Sequence, residues 1–117
     1  MPPDESQRLP AGARFRADLR DVLDELLRAG RIDHITYAYG MRVQKIAGAS
    51  RRWFEARATS AGHIRASESS VKRSVAALRK LGILVRLPGA TGPGMSARFG
   101  VRIPRELLAD LRRDPEI

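Results

Sequence analysis

The sequence contains no cysteine, which rules out a disulfide framework and a thiolate zinc site. No apolar run approaches the roughly 20 residues that a membrane-spanning helix requires. The opening segment, MPPDESQRLP, carries acidic side chains and no apolar stretch, so it does not have the pattern of a secretory leader. Asparagine is absent, and glutamine occurs only as Gln7 and Gln44. His34 and His63 are the only histidines, far apart and outside any His-Glu-x-x-His pattern, so no metal site is expected.

Chemistry-bearing motifs are equally scarce. The glycine-rich GATGPG stretch lacks dinucleotide-binding spacing, and no P-loop lysine follows it. No serine occupies a Gly-x-Ser-x-Gly elbow. Asp18, Asp21, Asp24 and Glu25 alternate with arginines along one stretch instead of converging in pairs. No enzyme and no cofactor are expected. With 117 residues, 43% hydrophobic and 30% charged, the chain is expected to form one soluble, cytoplasmic domain with a modest core.

Charge is where the sequence becomes specific. The formal net charge is +9, and it is not spread evenly. Residues 51–105 hold 12 basic and 2 acidic side chains, a net of +10, while the rest of the chain nets −1. Solubility alone does not require such segregation. A polyanion-binding face does, because each neutralised phosphate releases condensed counterions. A membrane surface or an acidic protein is the competing explanation of a basic patch.

Residues 1–12 are rich in Pro, Gly and polar side chains and are expected to be a disordered arm, and 114–117 a short tail. Between them, 13–113 is read as the folded domain. Arg14 to Ala29 is the clearest helix, with Phe15, Leu19, Val22, Leu23, Leu26 and Leu27 on one stripe and Gly30 ending it. Thr36 is expected to cap a second helix, Tyr37 to Ala47, with Val43, Ile46 and Ala47 in the core; Gly40 weakens it by about 1 kcal/mol relative to alanine. RRWFEARA, residues 51–58, fits a short strand, a loop or a helix start; Trp53 and Phe54 are expected as core anchors in preference to base-stacking residues, with Arg51 and Arg52 at the surface. Thr59 is expected to cap a short helix, Ser60 to Ile64, followed by a turn at Arg65 and Ala66.

The stretch SESSVKRSVAALRKLGILV, Ser67 to Val85, carries the most information. Ser67 is a good N-cap. Val71, Val75, Leu78 and Gly82 fall on one side at helical spacing, with Ser69, Lys72, Arg73 and Lys80 on or near the other. Gly82 suits the left-handed position that ends a helix, and Ile83, Leu84 and Val85 are β-prone. Beyond them, Ile83–Leu87 and Ala97–Ile103 flank the loop PGATGPGMS, which reads as a β-hairpin with a long tip. Pro104 suits the first turn of a last helix with Leu107, Leu108 and Leu111 on one face. That helix packs on the body or joins a dimer contact; the sequence does not separate the two.

Ala61, then Ser67, Ser70 and Val71, then Leu78, Gly82, Ile83 and Leu84, together resemble the winged helix-turn-helix superfamily of bacterial DNA-binding proteins. The resemblance covers about 45 residues, Thr59 to Ile103. It implies a mainly α fold with a small β-hairpin wing (α+β), the helix-turn-helix at about 59–82 and the wing at about 83–103. One departure stands out: Arg65-Ala66 occupies a turn that often holds glycine, where a non-glycine residue at positive φ is strained.

On this reading the helix Glu68–Leu81 enters the major groove of double-stranded DNA. Ser67, Ser69, Ser70, Lys72 and Arg73 are its candidate contacts, and arginine can bridge O6 and N7 of guanine. Glu68 is read first as favouring the helix dipole, with acceptance from cytosine N4 or repulsion of phosphate that sharpens register as the alternatives. Arg51, Arg52, Arg65, Arg79, Lys80, Arg86 and Arg98 are phosphate candidates, and Arg102 also flanks the wing. Without asparagine, bidentate reading of adenine is not expected from this helix. Three roles fit: a transcriptional regulator, most simply a repressor bound as a homodimer to an inverted repeat and associated with the nucleoid; a replication-initiation or accessory protein of a plasmid or phage; or a module that binds an acidic protein.

Overall fold

Phe15, Leu19, Val22, Leu23 and Leu26 recur at the spacing of one helical face, and all are buried. They lie on α1 (Ala11–Arg28) of the computed structural model, which describes residues 11–88 and 98–112. Helix α1 begins at Ala11, inside the segment expected to be disordered. The remainder of that arm, the tip of the hairpin loop and the C-terminal tail lie outside the described residues.

After α1 the chain forms α2 (His34–Ala47), β1 (Arg52–Trp53), α3 (Arg57–Ile64), α4 (Glu68–Lys80), β2 (Leu84–Arg86), β3 (Phe99–Val101) and α5 (Arg105–Arg112). The architecture is thus mainly helical with a small antiparallel sheet, an α+β fold. The strand order is β1-β3-β2, so the hairpin strand β3 sits centrally and β1 closes its other side. Leu84 faces Val101, Val85 faces Gly100 and Arg86 faces Phe99, while Arg52 and Trp53 face Gly100 and Phe99 from the other side. Helix α4 packs on α2 and α3, and α1 packs on α2 and α5.

Burial explains which residues make these contacts. Val71 and Leu78 of α4, Ile83 and Leu84 after it, and Trp53, Phe99 and Val101 of the sheet share one core with the α1 stripe and with Tyr39 and Val43 of α2. Truncating Leu78, which is fully buried, costs about 2–5 kcal/mol by lost transfer energy and cavity formation. Gly40 has a packing reason for its place mid-helix. A Cβ there would lie 2.8 Å from Leu23 Cδ2, so its absence lets α1 and α2 approach.

Four expectations need correction. Ile46, expected in the core, is 51% exposed on α2, whereas Val43 and Ala47 are buried. The second helix starts at His34, capped by Asp33, whose carboxylate accepts from the Thr36 amide at 2.7 Å. Thr36 is instead buried inside the helix, where its hydroxyl meets Ser74 Oγ. Helix α3 starts at Arg57, and the residue before it, Ala56, makes no side-chain cap, so Thr59 is an exposed residue of the first turn. Pro104 precedes α5 and accepts from the Leu107 and Leu108 amides through its carbonyl. Leu107 is buried and α5 packs on α1, so this helix belongs to the body of the fold.

Candidate functional site

Helices α3 and α4 are joined by only Arg65, Ala66 and Ser67. Arg65 is left-handed at φ 55°, and the Ala66 amide donates to the Ala61 carbonyl at 3.0 Å. The turn therefore keeps the conformation that usually favours glycine and places an arginine in it. Left-handed geometry costs an L-residue on the order of 1–2 kcal/mol. Arg51 repeats the pattern at φ 57°, and its guanidinium lies 4.5 Å above the Phe15 ring.

Ser67 caps α4 by accepting from the Ser70 amide at 3.0 Å. At the far end the Ile83 amide donates to the Leu78 carbonyl and the Gly82 amide to Arg79, with Gly82 at φ 85°. This paired closure turns the chain sharply from helix into β2. Between these ends, Ser69, Lys72, Arg73, Ala76 and Lys80 are exposed. Their spacing puts them on one stripe, opposite buried Val71, Ser74 and Leu78. Ala76 was not singled out from sequence, although it falls four residues after Lys72 on the same face. Its small side chain leaves the middle of the stripe low.

Ser70 departs from its expected role. It is only 8% exposed, and its hydroxyl accepts from Ser67 Oγ and from Arg73 Nη2, each at 3.0 Å. It therefore positions Arg73 and is not itself presented outward. Asp33, the α2 cap, is held below its usual pKa of 3.8, chiefly by the Thr36 amide and further by the positive charge of Arg73. Sequence periodicity could not show this, because Asp33 and Arg73 come from different helices.

A second polar group anchors the start of α3. Arg42 donates to both oxygens of Glu55, at 2.9 and 2.6 Å, and Ser60 donates to the same carboxylate. The Arg42 guanidinium is the largest influence holding the Glu55 carboxyl below its usual range. One residue earlier, Phe54 is 65% exposed, contrary to its expected core position. Trp53 takes the core place instead, donating from Nε1 to Tyr39 Oη at 2.8 Å.

The remaining basic candidates are distributed around the sheet. Arg52 and Arg98 lie on its outer face and are exposed; Arg86 is exposed at the end of β2, and Arg102 just beyond β3. The structure thus brings Arg65, Ser67, Ser69, Lys72, Arg73 and Lys80 onto one helix and its turn, and sets Arg52 and Arg98 apart on the sheet. Among the described residues the recorded ion pairs are Arg28–Glu25 and Arg42–Glu55, neither involving α4.

Among the described residues, no helix is long and apolar enough to cross a membrane, and no cluster of three or more His, Cys, Asp or Glu forms a potential metal centre. Comparison with protein-family models, curated proteins and solved structures finds no match.

Proposed function

We propose that this chain is a sequence-specific double-stranded DNA-binding protein with a winged helix-turn-helix, in which α3 and α4 form the helix-turn-helix and β2–β3 the wing. The observation that carries this reading is the exposed stripe Ser69, Lys72, Arg73, Ala76 and Lys80 on α4, which no ion pair among the described residues neutralises. The short α3–α4 turn and the immediate passage into a three-stranded sheet support it. On this reading the N-terminal half of α4 lies in the major groove. Arg73, steadied by Ser70, reads guanine, and Lys72 and Ser69 contact base edges or phosphate. Arg65, Lys80 and Arg86 hold the backbone, which fixes register without reading sequence.

A transcriptional regulator of the repressor type, bound as a homodimer, is the role we propose, as the most frequent use of such a domain. Selection from a randomised duplex library at two salt concentrations tests both levels. A guanine-containing consensus that persists at the higher salt supports sequence-specific binding, and inverted symmetry supports the dimeric regulator. Tandem direct repeats favour a replication role. Absence of enrichment, with binding that collapses as salt rises, overturns the reading.

A further inference from the structure

Residues directly opposite one another in an antiparallel ladder share a face of the sheet. One row of this sheet is Arg52, Gly100 and Val85. The Leu87 amide donates to the Arg98 carbonyl at 2.9 Å, which extends the β2–β3 ladder by one pair. Phe54 follows Trp53 on the other side of β3, and the Arg98 guanidinium lies 5.9 Å from the centre of its ring. The buried residues Trp53, Phe99, Leu84 and Val101 take the inner face, so these rows form the outer one.

The outer face is unusual in what it exposes. Phe54, 65% exposed, neighbours the exposed Arg52 and Arg98, and Val85 across Gly100 is 41% exposed. Phe54, Arg52, Arg98, Leu87 and Pro88 border a shallow hollow of about 480 Å³. Gly100 leaves the centre of the sheet without a side chain. The acids of residues 51–105 are Glu55, engaged by Arg42 and Ser60, and Glu68 at the start of α4, so neither opposes Arg52 and Arg98 on this face. Phe54 is also held firmly from behind. Trp53 is tied to Tyr39 and Glu55 to Arg42, one residue to either side.

An anchored, exposed aromatic ring beside two arginines is a stacking platform for an unpaired base with charge for its phosphates. We infer that the outer face of the sheet is a second nucleic-acid site, which takes a single-stranded segment by stacking a base on Phe54 and pairing adjacent phosphates with Arg52 and Arg98. This site does not use the exposed stripe of α4, so it stands or falls separately from duplex recognition.

Fluorescence anisotropy with a labelled oligothymidylate and the full chain tests it, with labelled duplex as a parallel probe. Phe54→Ala weakens oligothymidylate binding by roughly ten- to a hundredfold. Phe54→Trp retains it and Phe54→Leu does not, which separates stacking from simple apolar contact. Arg73→Ala weakens the duplex and leaves the single strand unchanged. Equal binding by wild type and Phe54→Ala, with unchanged urea midpoints, overturns the inference. So does failure of the wild type to bind oligothymidylate, whether or not an acidic peptide occupies the face instead. An oligouridylate arm is expected to match oligothymidylate, because stacking and phosphate pairing are common to both.

Discussion

The hydroxyls of Thr36 and Ser74 meet at 3.2 Å in the buried seam between α2 and α4. Thr36 is 5% exposed and Ser74 1%, so both hydroxyls are largely withdrawn from bulk solvent. Replacing one partner strands the other. Thr36→Val or Ser74→Ala alone is expected to cost about 1–3 kcal/mol, and the double substitution less than the sum. Urea unfolding of the four proteins, closed as a double-mutant cycle, measures the coupling.

Arg65 sets stability against binding. Its left-handed backbone is one that glycine adopts without a Cβ clash. Arg65→Gly is expected to change stability by about 0–1 kcal/mol in the favourable direction, the relief of strain being partly offset by the greater entropy of the unfolded chain. Duplex binding should weaken with the same substitution. A raised or unchanged denaturation midpoint together with a raised Kd is the expected pair of results; a large loss of stability counts against the strain argument.

Stability should fall in acid through Glu55. Its carboxyl titrates below the usual 4.5 when folded, first because Arg42 donates to it, and returns to the usual range when unfolded. The stabilisation is therefore complete above the unfolded value and is lost as pH falls through 4.5 towards the lower folded value. Glu55→Gln should flatten the stability–pH curve in that window, with Asp33 contributing the residual slope in acid. Arg42→Ala leaves a largely covered carboxylate without its cation, held only by Ser60, and should cost about 1–3 kcal/mol at neutral pH, between the exposed and buried limits for such pairs. Urea titrations across the acid range give both results.

Arg73 and Lys80 should separate reading from holding. Arg73→Ala is expected to cost about 1–3 kcal/mol on the preferred duplex and to relax base choice at one position. Lys80→Ala should weaken all duplexes alike and reduce the magnitude of the salt slope by about one. Ser70→Ala should resemble a mild form of Arg73→Ala, since it removes the acceptor that holds the guanidinium. Binding isotherms on matched and mismatched duplexes at several salt concentrations distinguish these patterns.

The parts of the fold legible in the sequence are those set by local spacing. The α1 stripe, the Ser67 cap, the Gly82 closure and the strands flanking the hairpin each rest on residues a few positions apart. The parts that were not legible depend on distant partners. Thr36 and Asp33 are both capping residue types; Asp33 takes the cap because burial against Ser74 uses the Thr36 hydroxyl. Ser70 lies within a run of serines that sequence treats alike, and only the fold shows that one is covered. Two-residue β1 is too short to show alternation, so whether Trp53 or Phe54 turned inward was decided by its pairing with β3.

That pairing also governs the order in which the molecule can be made. Strand β1 precedes α3 and α4, but its partner β3 follows both. During synthesis, α1 and α2 can dock from contacts nearby in sequence as soon as they emerge. The sheet must wait until Phe99–Val101 has been added, and closing so long a loop is entropically slow. Until then the Trp53 side chain lacks its cover from Phe99, and a ribosome stalled after α4 would carry a basic helix on an unfinished support.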